Sequence, residues 1–166
     1  MNQMNRAYLI LGGNKGDVLY NLKEAVRLIE ESVGRVLKSS SIYKTSAWGN
    51  TNQPDFFNQV ILIETKLQPV DLLRSLISIE ESLGRVRNEE KWVQRTMDID
   101  ILFYNDEVID TIDLKVPHPY IQDRRFVLIP LNEIAQGLIH PLYNKSIKQL
   151  LNDCPDALNV FIYTLK

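Results

Sequence analysis

The sequence predicts an α+β fold, a mainly antiparallel sheet with helices packed on it. Two observations carry this. Short apolar runs bounded by turn residues are interleaved with apolar stripes at three- and four-residue spacing. Their order is strand, helix, strand, strand, helix, strand, the split βαβ arrangement of a ferredoxin-like sandwich, for which helices are expected on one face of the sheet.

Taken in order, Ala7-Tyr8-Leu9-Ile10-Leu11 is a buried strand that Gly12-Gly13 is expected to end. Asp17 stands where a helix N-cap belongs. Leu19, Leu22, Val26, Ile29 and Val33 follow on one stripe, and Gly34 is the stop. Residues 36–43 are serine-rich but extended, and residues 57–64, rich in β-branched side chains, read as a central strand. Pro69 at the first helical position opens a second helix with Leu72, Leu76, Ile79 and Leu83 on one face and Gly84 as its stop. Residues 98–104 form a strand in which Ile99, Ile101 and Phe103 face the core. Asn105-Asp106 turns into a short extended piece at 107–109. Residues 125–135 read as a helix, 147–151 as a short helix and 160–163 as a last edge strand.

The 166 residues suit one domain spanning 1–166, and 45% apolar with 24% charged residues exclude a disordered or fibrous chain. No run approaches the roughly 18 apolar residues of a membrane span, and residues 1–6 lack the apolar core of a secretory signal. Cys154 is the single cysteine, so no internal disulfide forms and no oxidising compartment is indicated; a cytoplasmic setting is expected. A net charge of −2 does not suit coating nucleic acid or an anionic membrane.

Chemistry concentrates in residues 84–100. Asp98 and Asp100 are two apart on a strand, so they share a face, with Cα atoms about 6.6–7 Å apart. Carboxylates so placed suit one or two Mg²⁺ ions, which take few protein ligands and fill their shells with water and phosphate oxygens. An isolated Asp-x-Asp is most often only the wet face of a strand. Here Arg85, Arg87, Lys91 and Arg95 precede it. Carboxylates, magnesium and guanidinium groups together match a polyphosphate. A solvated charged loop paired with Glu89 and Glu90 is the bland alternative, but Trp92 is costly to expose on such a loop.

A second cluster runs from Pro117 to Phe126. Its prolines stiffen the backbone around His118, a candidate phosphate donor that could equally be a turn histidine, and Arg124 stands near Phe126. A third runs from Tyr43 to Asn58, a long polar loop leading into Phe56 and Asn58. An aromatic and an amide on one face suit a flat heterocycle, although core and strand-end roles explain these two as simply. Gly12 to Asp17 fits neither the Walker A spacing nor the dinucleotide fingerprint, and a tight turn into a capped helix accounts for it.

Together these segments resemble the 6-hydroxymethyl-7,8-dihydropterin pyrophosphokinases of folate biosynthesis. The resemblance rests on Leu11-Gly12-Gly13-Asn14, on residues 53–58 and 84–87, on Trp92 through Ile101, on Val116-Pro117-His118-Pro119 and on Arg124-x-Phe126. It implies transfer of the β,γ-pyrophosphate of ATP to the pterin hydroxymethyl oxygen, with AMP leaving. By the same resemblance Asp98 and Asp100 hold two Mg²⁺ ions and Arg85 and Arg95 neutralise charge in transfer. Glu80, Arg87, Trp92, Ile101, His118 and Arg124 line the ATP site. Phe56 and Phe126 sandwich the pterin, Asn58 reads its edge, and Thr45 and Trp48 contribute from the loop. The expected partners are these small molecules, with no nucleic acid, membrane or obligate protein partner. Two departures from the family's usual pattern stand out: Val93-Gln94 replace the Gly-Pro before the arginine, and Gly13 replaces a common serine.

A nucleotide- or RNA-binding module of the same fold is the main alternative, with Trp48, Trp92 and Phe126 stacking bases. It lacks an RNP1-like run, and its aspartate pair repels phosphates unless metal is bound. A metal-dependent phosphohydrolase is the other; only a pocket for a second substrate, marked by Phe56, Asn58 and Phe126, separates it from a kinase.

Overall fold

The computed structural model describes residues 3–46, 52–84 and 96–164. In chain order the elements are β1 (Asn5–Gly13), α1 (Val18–Ser32), β2 (Arg35–Ser39), β3 (Tyr43–Thr45), β4 (Phe56–Thr65), α2 (Pro69–Ser82), β5 (Asp98–Tyr104), β6 (Ile109–Asp110), β7 (Lys115–Val116), α3 (Arg125–Ala135), α4 (Ile147–Asp153) and β8 (Val160–Ile162). The main sheet runs β5-β1-β4-β3-β8, with β2 also on β4, and every pairing is antiparallel. The fold is α+β with a mainly antiparallel sheet, as the sequence predicts.

The local signals act as expected. The Asp17 side chain accepts the Tyr20 N–H at 3.1 Å and starts α1. Pro69 opens α2, and Gly84 beyond its end adopts φ +91°, a conformation glycine takes without penalty. The bounds of β5 and α3 coincide with the sequence reading. The extended piece expected at 107–109 shrinks to β6, which pairs with β7, a strand the sequence did not reveal. Gly12 and Gly13 are the last two residues of β1, as expected, but they still belong to the ladder, paired to Asn58 and Phe57 of β4.

Helices cover both faces of the sheet, not one. Leu9 and Leu11 of β1 and Ile61 and Ile63 of β4 pack under α1 and α2. Ile10 and Val60 pack with Val127, Leu128 and Leu131 of α3 and with Ile147 and Leu150 of α4. The physical reason is that β1 and β4 are continuous apolar runs without polar alternation, which requires cover on both sides. One further expectation fails: Phe103 does not share a face with Ile99 and Ile101. The register between β1 and β5 slips, Leu9 opposing Ile101 while Tyr8 opposes Phe103. The extra residue turns Phe103 onto the α3 face. Among the described residues no helix is long and apolar enough to cross a membrane.

Candidate active site

Register places the candidate residues on one surface. Tyr43 opposes Asn58, Asn58 opposes Gly12, and Gly12 opposes Asp98, forming a row across β3, β4, β1 and β5. Beside it Thr45 opposes Phe56, and Asp100 opposes Ile10. Directly opposed residues project to the same face. That face is the one under α3, because Ile10 and Val60 lie on it and the Tyr43 hydroxyl donates to Glu133 of α3. Burial and the neighbouring Glu133 carboxylate push the Tyr43 phenol far above its ordinary range. Thr45 and Asn58 are buried, whereas Phe56, Asp98 and Asp100 are partly exposed.

The connection from β7 to α3 supplies the other wall. The Val116-Pro117 bond is cis, and the His118 N–H donates to the Leu102 carbonyl of β5 at 3.0 Å. The imidazole Nδ1 accepts the Tyr120 N–H at 3.3 Å. Nδ1 is therefore unprotonated and, in the neutral ring, Nε2 carries the hydrogen. Burial, and then the Arg124 charge, push the His118 pKa down to about 4 against a smaller opposing pull from Asp98. At neutral pH the ring is an uncharged Nε2–H donor. The Arg124 guanidinium lies over two rings, 4.8 Å from the Tyr120 centroid and 5.6 Å from that of Phe126. Arg124 is thus held by cation–π contacts near the start of α3. Phe126 packs at the edge of the α3–α4 core.

Two predicted residues sit differently. Glu80 is 2% exposed and its Oε2 accepts the Ile99 N–H at 2.8 Å, bracing β5 from the last turn of α2. The Ile101 side chain is buried among α1 and α2 residues, on the face opposite the aspartates. Only its backbone is left to address a ligand. Trp48, Arg85, Arg87, Trp92 and Arg95 lie outside the described residues.

The sequence reading gave no part in the site to three residues that shape it. Buried Asn14 donates through Nδ2 to Gln53 Oε1 at 2.9 Å and to the Pro54 carbonyl at 3.1 Å, fixing the chain just before Phe56. Tyr120 supports both His118 and Arg124. Gly12 lies between Asn58 and Asp98. The signal for Asn14 was a polar residue directly after an apolar strand. Tyr120 and Gly12 carry no comparable signal.

Among the described residues no group of three or more His, Cys, Asp or Glu could hold a metal ion. Asp98 and Asp100 offer two carboxylates on one strand face. That donor set is too sparse for zinc and fits magnesium, whose remaining ligands are water and substrate phosphate.

Residues 8–136 match the profile of the 7,8-dihydro-6-hydroxymethylpterin-pyrophosphokinase family. The chain belongs to that family. Relatives named 2-amino-4-hydroxy-6-hydroxymethyldihydropteridine pyrophosphokinase agree. The Aquifex aeolicus protein is 42% identical over 146 residues, covering 88% of this chain and 90% of the relative. The Bacillus subtilis protein is 46% identical over 133 residues, covering 80% and 79%. In fold, the chain is similar to a crystal structure of Plasmodium falciparum HPPK-DHPS with pteroate, at a TM-score of 0.76 and 18% identity. The match covers 92% of this chain and 45% of that one, so this chain spans less than half the length of the fused protein. The family match covers every candidate site residue, from Thr45 to Phe126.

Proposed function

We propose that this protein is the magnesium-dependent pyrophosphokinase of its family, moving pyrophosphate from ATP to 6-hydroxymethyl-7,8-dihydropterin in folate biosynthesis. The hydroxymethyl oxygen forms a bond to the β-phosphorus, the bond from that phosphorus to the α,β-bridging oxygen breaks, AMP leaves and the hydroxyl proton is released. The observation that carries this reading is the shared face of the sheet: a carboxylate pair, a neutral imidazole donor and a fixed guanidinium border an amide and aromatic rings.

Within that reading Asp98 and Asp100 hold two magnesium ions, which supply charge neutralisation at the phosphates when bound. His118 donates Nε2–H to a phosphate oxygen, and Arg124 takes up residual charge. Arg85 and Arg95 stabilise charge during transfer, and Arg87 and Trp92 enclose ATP. Glu80 holds β5 so that the Ile101 backbone, pointing off the sheet edge two residues after Ile99, addresses the nucleotide. Phe56 and Phe126 stack on the pterin, Asn58 pairs with its edge, and Thr45 and Trp48 complete the pocket. The sheet order β5-β1-β4-β3 supports the ferredoxin-like assignment, and cores on both faces of one sheet support a single catalytic unit over 1–166. Its proposed setting is the cytoplasm.

The deciding assay supplies ATP, magnesium and hydroxymethyl-dihydropterin and measures AMP separately from ADP. Pterin-dependent AMP is expected. Pterin-independent release of phosphate, or ADP as the nucleotide product, would replace this reading with hydrolysis or ordinary kinase chemistry.

A further inference from the structure

We infer that Gly12 is a positioning residue for the pterin substrate: its missing side chain is the space in which the Asn58 carboxamide lies. A Cβ built on Gly12 would fall 1.9 Å from Asn58 Oδ1, 3.0 Å from its Cγ and 3.1 Å from the Phe57 carbonyl oxygen. The first separation is not tolerable in a protein, and the other two need a shift of only a few tenths of an ångström. Gly12 is in the centre of the sheet, paired to Asn58 on one side and to Asp98 on the other. The backbone there is anchored on both sides, so the Asn58 side chain is the part that must yield. Gly12 is not in the left-handed region that only glycine accepts readily; among the glycines with a described conformation that region holds Gly16 and Gly84. Backbone strain therefore does not explain a glycine here, and the close approach of a side chain does.

Asn58 is only 7% exposed, so its amide has few orientations open to it. Space over Gly12 lets it lie flat across β1, in the row that ends at Asp98. An alanine would turn it away, and the edge it presents to a heterocycle would change while the carboxylates and the His118–Arg124 wall keep their places. The expected signature is a loss confined to one of the two substrates.

This inference rests on the reading of Asn58 as a pterin contact, and a double-mutant cycle separates the two. Titrate pterin and, separately, a non-hydrolysable ATP analogue with magnesium into wild type, Gly12→Ala, Asn58→Ala and the double variant. Asn58→Ala is expected to weaken pterin about tenfold or more, the scale of one or two hydrogen bonds. Gly12→Ala should do nearly the same, with nucleotide affinity unchanged, and the double variant should be no worse than Asn58→Ala alone. If Asn58→Ala weakens pterin and Gly12→Ala does not, or if the two losses multiply, the positioning role is overturned and the Asn58 contact stands. An Asn58→Ala variant that binds pterin normally overturns both. Should Gly12→Ala lower the melting temperature, the double variant must recover it; failure to recover shows that the overlap with Asn58 is not the cause and overturns the inference as well.

Discussion

The Glu80 carboxylate, in the last turn of α2, accepts the Ile99 N–H at 2.8 Å, at the one position between Asp98 and Asp100. A buried acid thus fixes the strand that carries both candidate metal ligands, through a backbone N–H on the outer edge of β5. Glu80→Ala leaves a buried N–H without this acceptor, a loss of about 1–3 kcal/mol. For a chain of this length that lowers the melting temperature by several degrees. Turnover should fall with it, and Glu80→Gln, which keeps an acceptor, should recover much of the stability. Thermal unfolding of both variants checks this. A melting temperature unchanged in Glu80→Ala, alongside weakened ATP binding, would make Glu80 a ligand contact and not a brace.

The carboxylate pair makes the opposite prediction. Asp98 and Asp100 are partly exposed and contribute no apolar surface to either core cluster. Asp98→Ala or Asp100→Ala should cost on the order of a hundredfold or more in AMP formation, with a melting temperature close to wild type in the metal-free protein. Chelation should silence the wild type and added magnesium restore it. Substantial turnover in both variants would remove these residues from the metal site.

Why these parts were legible in the sequence follows from how locally each was encoded. The N-cap Asp17, Pro69 at the first turn of α2 and the alternation of Asp98, Ile99, Asp100 and Ile101 are specified within a few residues, and the structure follows them. The face of Phe103 was not legible, because it depends on a slip against Tyr8 and Leu9 of another strand. The strand β7 was missed for a similar reason: two residues acquire strand character only by pairing with β6. The cover on the second sheet face was legible in principle, in the unbroken apolar run of β4 from Val60 to Ile63. Gly12 read as a terminator because strand-ending glycine is common, while its use as a cradle requires knowing that Asn58 lies opposite.

The His118 imidazole should remain neutral well below its ordinary pKa of 6.5, titrating near 4 in the metal-free protein. Because the folded value lies below the unfolded one, the unfolded chain takes up the proton first. The stability that depends on the neutral ring is complete above about pH 6.5 and is lost as pH falls toward 4. His140, the other histidine, is also shifted down by burial. His118→Gln therefore serves to assign the two signals in an NMR titration of the ring carbon-bound protons. Magnesium at Asp98 offsets the charge of the carboxylate that favours the charged ring, so it should push His118 lower still. A His118 midpoint near 6.5 would show that the ring is solvated, and its role as a neutral Nε2–H donor would fall with it.

Arg124 and Phe126 offer the sharpest separation of the two substrates, but the structure couples them. The guanidinium lies over the Phe126 ring at 5.6 Å and over Tyr120 at 4.8 Å, so Phe126→Ala removes one of its two aromatic supports. Exposed or half-exposed cation–π contacts are worth about 0.5–1 kcal/mol. Loss of a stacked aromatic face removes more, on the order of 1–3 kcal/mol by analogy with base stacking. Phe126→Ala should therefore weaken pterin about tenfold or more and ATP only a few-fold, the smaller effect transmitted through Arg124. Arg124→Ala should weaken ATP strongly, since a charge-assisted phosphate contact is lost, and leave pterin close to wild type because the Phe126 ring stays packed at the edge of its core. Calorimetric titration of each ligand into each variant reads out both effects, and Tyr120→Ala supplies the control: it takes away the nearer ring without touching Phe126, so it should affect ATP and spare pterin. Equal losses of both ligands in all three variants would mean that the two substrates do not divide along this wall of the site.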